Sequence, residues 1–145
     1  MIKSTSNILL MTFLISLYSM SCSSDENPAK SGNDMGLVGS WTIIELSWSA
    51  PLDTGAYSKT QLESVGFVWQ LTFNSDNTGV QMTNIDGPTI SQELNWTTTA
   101  DNLTLKLKEP YSGSIDFNYK ITSNILTLIW TRATETEYNA DFTKL

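Results

Sequence analysis

Leu37-Val38-Gly39-Ser40-Trp41 is the stretch on which the reading of this chain turns. A small flexible residue, one spacer and a tryptophan open a long polar/apolar alternation. Phe67, Trp69, Leu71 and Phe73 alternate with Val68, Gln70, Thr72 and Asn74. Leu103, Leu105 and Leu107 alternate with Thr104, Lys106 and Lys108, and Ile115, Phe117, Tyr119 and Ile121 with Asp116, Asn118, Lys120 and Thr122. Successive strand residues point to opposite faces, so a period of two means strands with one dry and one wet face, the habit of antiparallel sheets.

Turn chemistry punctuates these runs at Asp76-Asn77-Thr78-Gly79, Asp86-Gly87-Pro88, Ala100-Asp101-Asn102, Pro110-Tyr111-Ser112-Gly113 and Ser123-Asn124. Eight strands are expected, near 40–48, 66–74, 78–84, 89–97, 103–108, 114–122, 124–132 and 137–144. The connections are short except Ser49 to Val65, where Ser58-Lys59-Thr60-Gln61 has capping-box spacing for one or two helical turns. A meander with one dry face must hide that face. Closure into an all-β, eight-stranded up-and-down antiparallel barrel does so and removes the sheet edges. A two-sheet sandwich is the alternative, but it usually needs long crossovers, and none is visible.

The Gly39-Ser40-Trp41 opening, the long first connection and the short hairpins after it resemble the lipocalin (calycin) barrel over most of 37–145. The resemblance implies that Trp41 faces inward near a closed floor beside Gly39. It also implies a basic side chain near the end of the last strand, packed across that tryptophan. Lys144 takes this role, because Arg132 ends the seventh strand at the opposite end. One conflict is visible: Trp41 shares parity with Glu45, while Ile44, Leu46 and Trp48 form the better apolar row. Either a bulge shifts the phase near Thr42 or Glu45 points inward. The cost of burying an unpaired carboxylate favours the bulge.

If the first strand runs from floor to mouth, the inward residues near the mouth are Trp48, Trp69, Met82, Gln92, Phe117, Trp130 and Tyr138. Those near the floor are Trp41, Phe73, Trp96, Leu103, Ile121 and Phe142. An eight-stranded barrel either fills itself with side chains or holds one small ligand. The aromatic mouth suits a small apolar or amphipathic molecule, with Gln92 and Tyr138 as polar handles. A barrel packed solid is the competing expectation. In that case the protein is an envelope module that contacts another protein or a glycan.

The N-terminal residues read as an address. Lys3 precedes an apolar run, Ile8 to Tyr18, of signal-peptide length and too short to span a bilayer. Ser19-Met20-Ser21-Cys22 resembles the lipobox of bacterial lipoproteins, apart from Ser19, where Leu is usual. That resemblance implies a signal peptide over 1–21, lipidation of Cys22 and a flexible polar tether over 22–36. Cys22 is the single cysteine, so an internal disulfide is impossible. Ser24-Asp25-Glu26 resembles the acidic export signal of surface-exposed Gram-negative lipoproteins, and an ordinary solvated linker has the same composition. The expected location is the outer membrane, lipid-anchored, with the acidic run as the argument for the cell surface.

With a formal charge of −7, the chain is acidic. That argues against nucleic acid and against adhesion to anionic lipid, so the membrane bond falls to the acyl chains on Cys22. The sequence contains no histidine. His-based acid–base work, a Ser–His triad and the usual zinc sites are therefore out of reach. Asn74-x-Asp76-x-Thr78-Gly79 begins like a calcium loop, but position twelve is Ile85 rather than Glu, so a hairpin turn is expected. No catalytic residue, metal ligand or cofactor is expected, and the sequence leaves the oligomeric state open.

Overall fold

The computed structural model describes residues 34–85, 87–132 and 135–145. The signal, the lipobox and the acidic run lie outside these residues. The strands are β1 (Gly39–Ala50), β2 (Asp53–Ser58), β3 (Trp69–Phe73), β4 (Thr78–Thr83), β5 (Ile90–Thr99), β6 (Asn102–Leu107), β7 (Gly113–Thr122), β8 (Ile125–Thr131) and β9 (Glu137–Lys144). One helix, α1 (Lys59–Ser64), follows β2. From β3 to β9 each strand pairs antiparallel with the next, and β1 pairs with both β3 and β9. The sheet thus closes as an eight-stranded antiparallel barrel of β1 and β3–β9.

Short hairpins hold the closed end. The β5–β6 and β7–β8 connections place Ala100 (φ 51°) and Ser123 (φ 56°) in the left-handed region that tight hairpin turns demand. Between β3 and β4, the Asp76 carboxylate accepts from the Thr78 backbone N–H at 3.0 Å and from its hydroxyl at 2.6 Å. The Thr78 hydrogen bonds hold the Asp76 carboxyl below its ordinary pKa. This segment is the expected hairpin turn, with Asn77 at φ 69°.

Three features refine the sequence reading. The phase shift in β1 is real and lies at Ile44. Ile43 pairs with Phe142 and Glu45 with Asp141, so Ile44 is the extra residue. Trp41 and Ile43 are therefore buried ahead of the bulge, Leu46 packs on the core beyond it, and Glu45 is exposed. Second, the long first connection is more than a loop with a helical turn. Asp53–Ser58 folds back on the outer half of β1, Glu45↔Ser58 through Ala50↔Asp53, as a ninth strand. It displaces β3, which reaches only Gly39–Thr42 of β1. The Ser58–Gln61 capping box then starts α1, and Leu62 of that helix is buried. Third, Asp34–Gly36, expected as the end of the tether, is built into the floor. Met35–Leu37 forms a 3-10 turn capped by the Asp34 side chain, and Leu37 is fully buried.

Candidate functional site

Cross-strand partners share a face, so the pairing registers define the inward rows. One row crosses Leu71, Gln81 and Gln92; the next crosses Phe73, Gly79, Leu94 and Leu107. Others join Trp130 with Tyr138, Leu128 with Ala140 and Leu126 with Phe142. Burial along these rows changes from one end to the other. Trp41, Phe73, Trp96, Leu103, Leu126 and Phe142 form a dry floor, each at most 1% exposed. Towards the mouth Leu46, Gln81, Leu107, Ile115, Trp130 and Tyr138 point inward but are only half-buried, whereas Trp69, Thr83 and Gln92 are buried. The mouth half is therefore less evenly covered than the floor, with most of its half-buried side chains gathered on one side of the barrel end.

Trp130 is the hub of an aromatic wall at the mouth. Its ring stacks on Tyr138 at 5.3 Å and meets Trp69 and Phe117 edge-on at 5.7 Å each. Trp69 also meets Phe142 edge-on at 5.1 Å, which ties the wall to the floor. Offset and edge-on pairs of this kind add about 0.5–1.5 kcal/mol beyond area burial. Of the residues expected at the mouth, Trp69, Phe117, Trp130 and Tyr138 are therefore joined in one cluster. Phe117 sits lower than expected, opposite Leu103.

Two expected mouth residues are placed differently. Met82 pairs with Gln70 and Ser91, on the outward row; its neighbours Gln81 and Thr83 take the inward positions. Trp48 keeps the inward parity of Tyr138, but its ring turns to β2. It lies 5.3 Å from Tyr57, and its indole N–H donates to Asp53 at 3.0 Å. Gly55 makes room for it, since a Cβ there would lie 2.3 Å from the indole. Trp48 thus pins the β2 flap.

The β3–β4–β5 wall is more polar. Gln92 is buried, and its amide nitrogen donates to the carbonyl oxygens of Glu93 (3.2 Å) and Lys108. Thr83 accepts from the Ile85 backbone N–H at 3.2 Å. Two buried side-chain atoms have no partner among the described residues, Trp69 Nε1 and Gln81 Oε1. Gln81 did not stand out in the sequence, because an inward glutamine breaks the rule of a dry inner face.

At the floor, Lys144 pairs with Trp41, and its ammonium lies 5.2 Å from the indole centroid. Gly39 (φ +132°) clears the lysine stem, for a Cβ there would meet Lys144 Cε at 2.7 Å. The Trp41 indole N–H donates to the Leu37 carbonyl at 2.7 Å. At the rim, the Arg132 guanidinium lies over Tyr138 at 5.4 Å.

A strap also crosses the floor: Tyr119 donates to the Asp34 carboxylate at 3.1 Å, and Asp34 N–H donates to Thr98 at 2.9 Å. Burial, then the nearby Asp34 charge and hydrogen bond, push the Tyr119 pKa from 10.0 up to about 12. The folded state thus favours the neutral phenol. The stability it contributes is whole below pH 10 and is lost as the pH rises towards 12. Urea midpoints across that window should fall for the native chain and fall less for Tyr119→Phe.

The model for the lipocalin-like domain family matches residues 37–128. No curated protein matches the chain. Among solved structures, an uncharacterized protein from Bacteroides eggerthii DSM 20697 is similar at 13% identity and a TM-score of 0.45, over 75% of this chain and 99% of that one.

Proposed function

The chain belongs to the lipocalin-like domain family, and from that premise we propose that it is a non-enzymatic binding protein that takes a small apolar or amphipathic molecule into the mouth of its barrel. The observation that supports this most is Trp130: an inward aromatic hub, bordered by Trp69, Phe117 and Tyr138, that stays half-buried. A large apolar ring left partly wet inside a barrel gains free energy when a ligand covers it, at about 25 cal/mol per Å2. A naphthalene-type fluorescent probe should bind, brighten and quench tryptophan emission. Trp130→Leu should weaken its binding about tenfold, which is ~1.4 kcal/mol, while Met82→Ala on the outer face leaves it unchanged. Absence of binding across several probes would favour the second reading, an envelope module with a filled barrel.

We further propose that Cys22 is lipidated after removal of 1–21 and holds the protein at the outer membrane. Support comes from Lys3, the apolar run and Ser21-Cys22. Cys22→Ser should move the protein from membrane to soluble fractions; an unchanged distribution counts against the anchor. Surface display is the reading of Asp25-Glu26. Protease shaving of intact cells should remove the domain and should fail when both acids are alanine.

A further inference from the structure

We propose that the open edge of β2 takes the same strand of a second copy of this chain, antiparallel, in a two-fold register centred on Ala56. β2 ends the strand order and is bonded to β1 alone. Pro51-Leu52 is a two-residue turn, so Ala50 and Asp53 close the hairpin as a hydrogen-bonded pair. Gly55 and Tyr57 share that parity and turn their N–H and C=O groups to β1, while Thr54, Ala56 and Ser58 turn theirs away. The Ser58 N–H agrees with this parity, since the Gln61 side chain takes it at 2.9 Å. Among the described residues, no hydrogen bond reaches the outward main-chain groups of Thr54 or Ala56. Both residues are exposed, so these groups are open to another strand.

Nothing in the strand keeps a second strand away. Edge strands are commonly guarded by lysine, proline or a bulge. β2 pairs with β1 without a break and carries neither lysine nor proline. Its outward-bonding residues Thr54, Ala56 and Ser58 are all small.

Charge chooses the occupant. Asp53 opens the strand and Lys59 follows it. An antiparallel copy sets each against the opposite charge, whereas a parallel copy in register sets like against like. With the two-fold on Ala56, its N–H and C=O bond to their own images. Asp53 then faces the second copy's Lys59 at both ends of the seam. Both charges can respond. Asp53 holds the Trp48 indole through Oδ2 and keeps Oδ1, and Lys59 is 58% exposed with a loose 3.6 Å pair to Glu63. The same register sets Tyr57, 48% exposed, opposite the second copy's Gly55, where a Trp48 indole packs.

The test is sedimentation of the chain from residue 22 onward, with Cys22→Ser throughout so that neither acyl chain nor disulfide joins two copies. Monomer should give way to dimer between ~10 µM and ~1 mM. Ala56→Lys sets like charges face to face on the two-fold, and should weaken the dimer at least about tenfold without lowering the urea midpoint. Lys59→Asp, which opposes two acids at each end, should weaken it about fivefold. Adding Asp53→Lys to that variant restores opposite charges and should bring the affinity back to within about twofold of native. A native chain monomeric throughout overturns the pairing and leaves the edge to a strand of another protein. A dimer indifferent to Ala56→Lys overturns it, since the copies then meet elsewhere. A double variant no tighter than Lys59→Asp overturns it as well, because the charges then do not face each other.

Discussion

Trp41→Ala is expected to cost about 3–5 kcal/mol of stability, read as a lower urea midpoint at unchanged slope. Trp41 is 1% exposed, so its removal leaves a cavity in a close-packed floor. The lost indole N–H also frees the Leu37 carbonyl that it holds at 2.7 Å, and with it the 3-10 turn that plugs the barrel. Lys144 shares the site. Its ammonium 5.2 Å from the ring centroid makes a cation–π contact worth ~0.5–2 kcal/mol, and its stem shields the indole. Lys144→Ala should therefore lower the midpoint more than Arg132→Ala. The arginine is exposed over Tyr138, and exposed substitutions usually stay within about 0.5 kcal/mol. A Trp41→Phe background should shrink the Lys144 effect, since the two residues are coupled. The reverse order of the two cations would mean that the rim, rather than the floor, carries the stabilising contact.

The closed end was legible because every signal there is one of apolar periodicity or turn residues. Phe73, Trp96, Leu103 and Phe142 alternate with polar residues and are buried as alternation requires. The conflict between Trp41 and Glu45 was itself informative, since only an extra residue lets Trp41 and Leu46 face the same core. The outer hairpin was not legible. Asp53-Thr54-Gly55-Ala56-Tyr57-Ser58 lacks β-branched alternation, with Tyr57 48% exposed, so it reads as loop. It is a strand because the outer half of β1 outruns β3 and offers an unpaired edge. Ala50-Pro51-Leu52-Asp53 carried a usable hint, a proline placed to start a two-residue turn.

The inward placement expected of Met82 failed for a single reason. In Thr78-Gly79-Val80-Gln81-Met82-Thr83, the apolar residues Val80 and Met82 suggest the inward row. The register gives the interior to Gly79, Gln81 and Thr83 instead. Periodicity fails at Gln81 because an inward glutamine breaks the rule of a dry inner face.

Gly79 carries the second large effect, and a matched pair of Gly→Ala substitutions isolates its cause. Gly79 lies on the inward row between Phe73 and Leu94. A Cβ there would fall 2.4 Å from the Thr72 carbonyl oxygen and 2.8 Å from Leu94 Cδ1. The first of these is backbone in a paired strand, so β3 and β4 must part or the Phe73–Trp96 contact at 5.4 Å must give way. Such overpacking costs about 1–3 kcal/mol. Gly113 begins β7, and a Cβ there would meet nothing within 4 Å. Alanine at that position removes only freedom of the unfolded chain and should stabilise by about 0.4–1 kcal/mol. Urea denaturation of the two variants should therefore move the midpoint in opposite directions, down for Gly79→Ala and up for Gly113→Ala. A downward shift of similar size in both would show that loss of glycine, rather than the close approach of Thr72 and Leu94, governs the response.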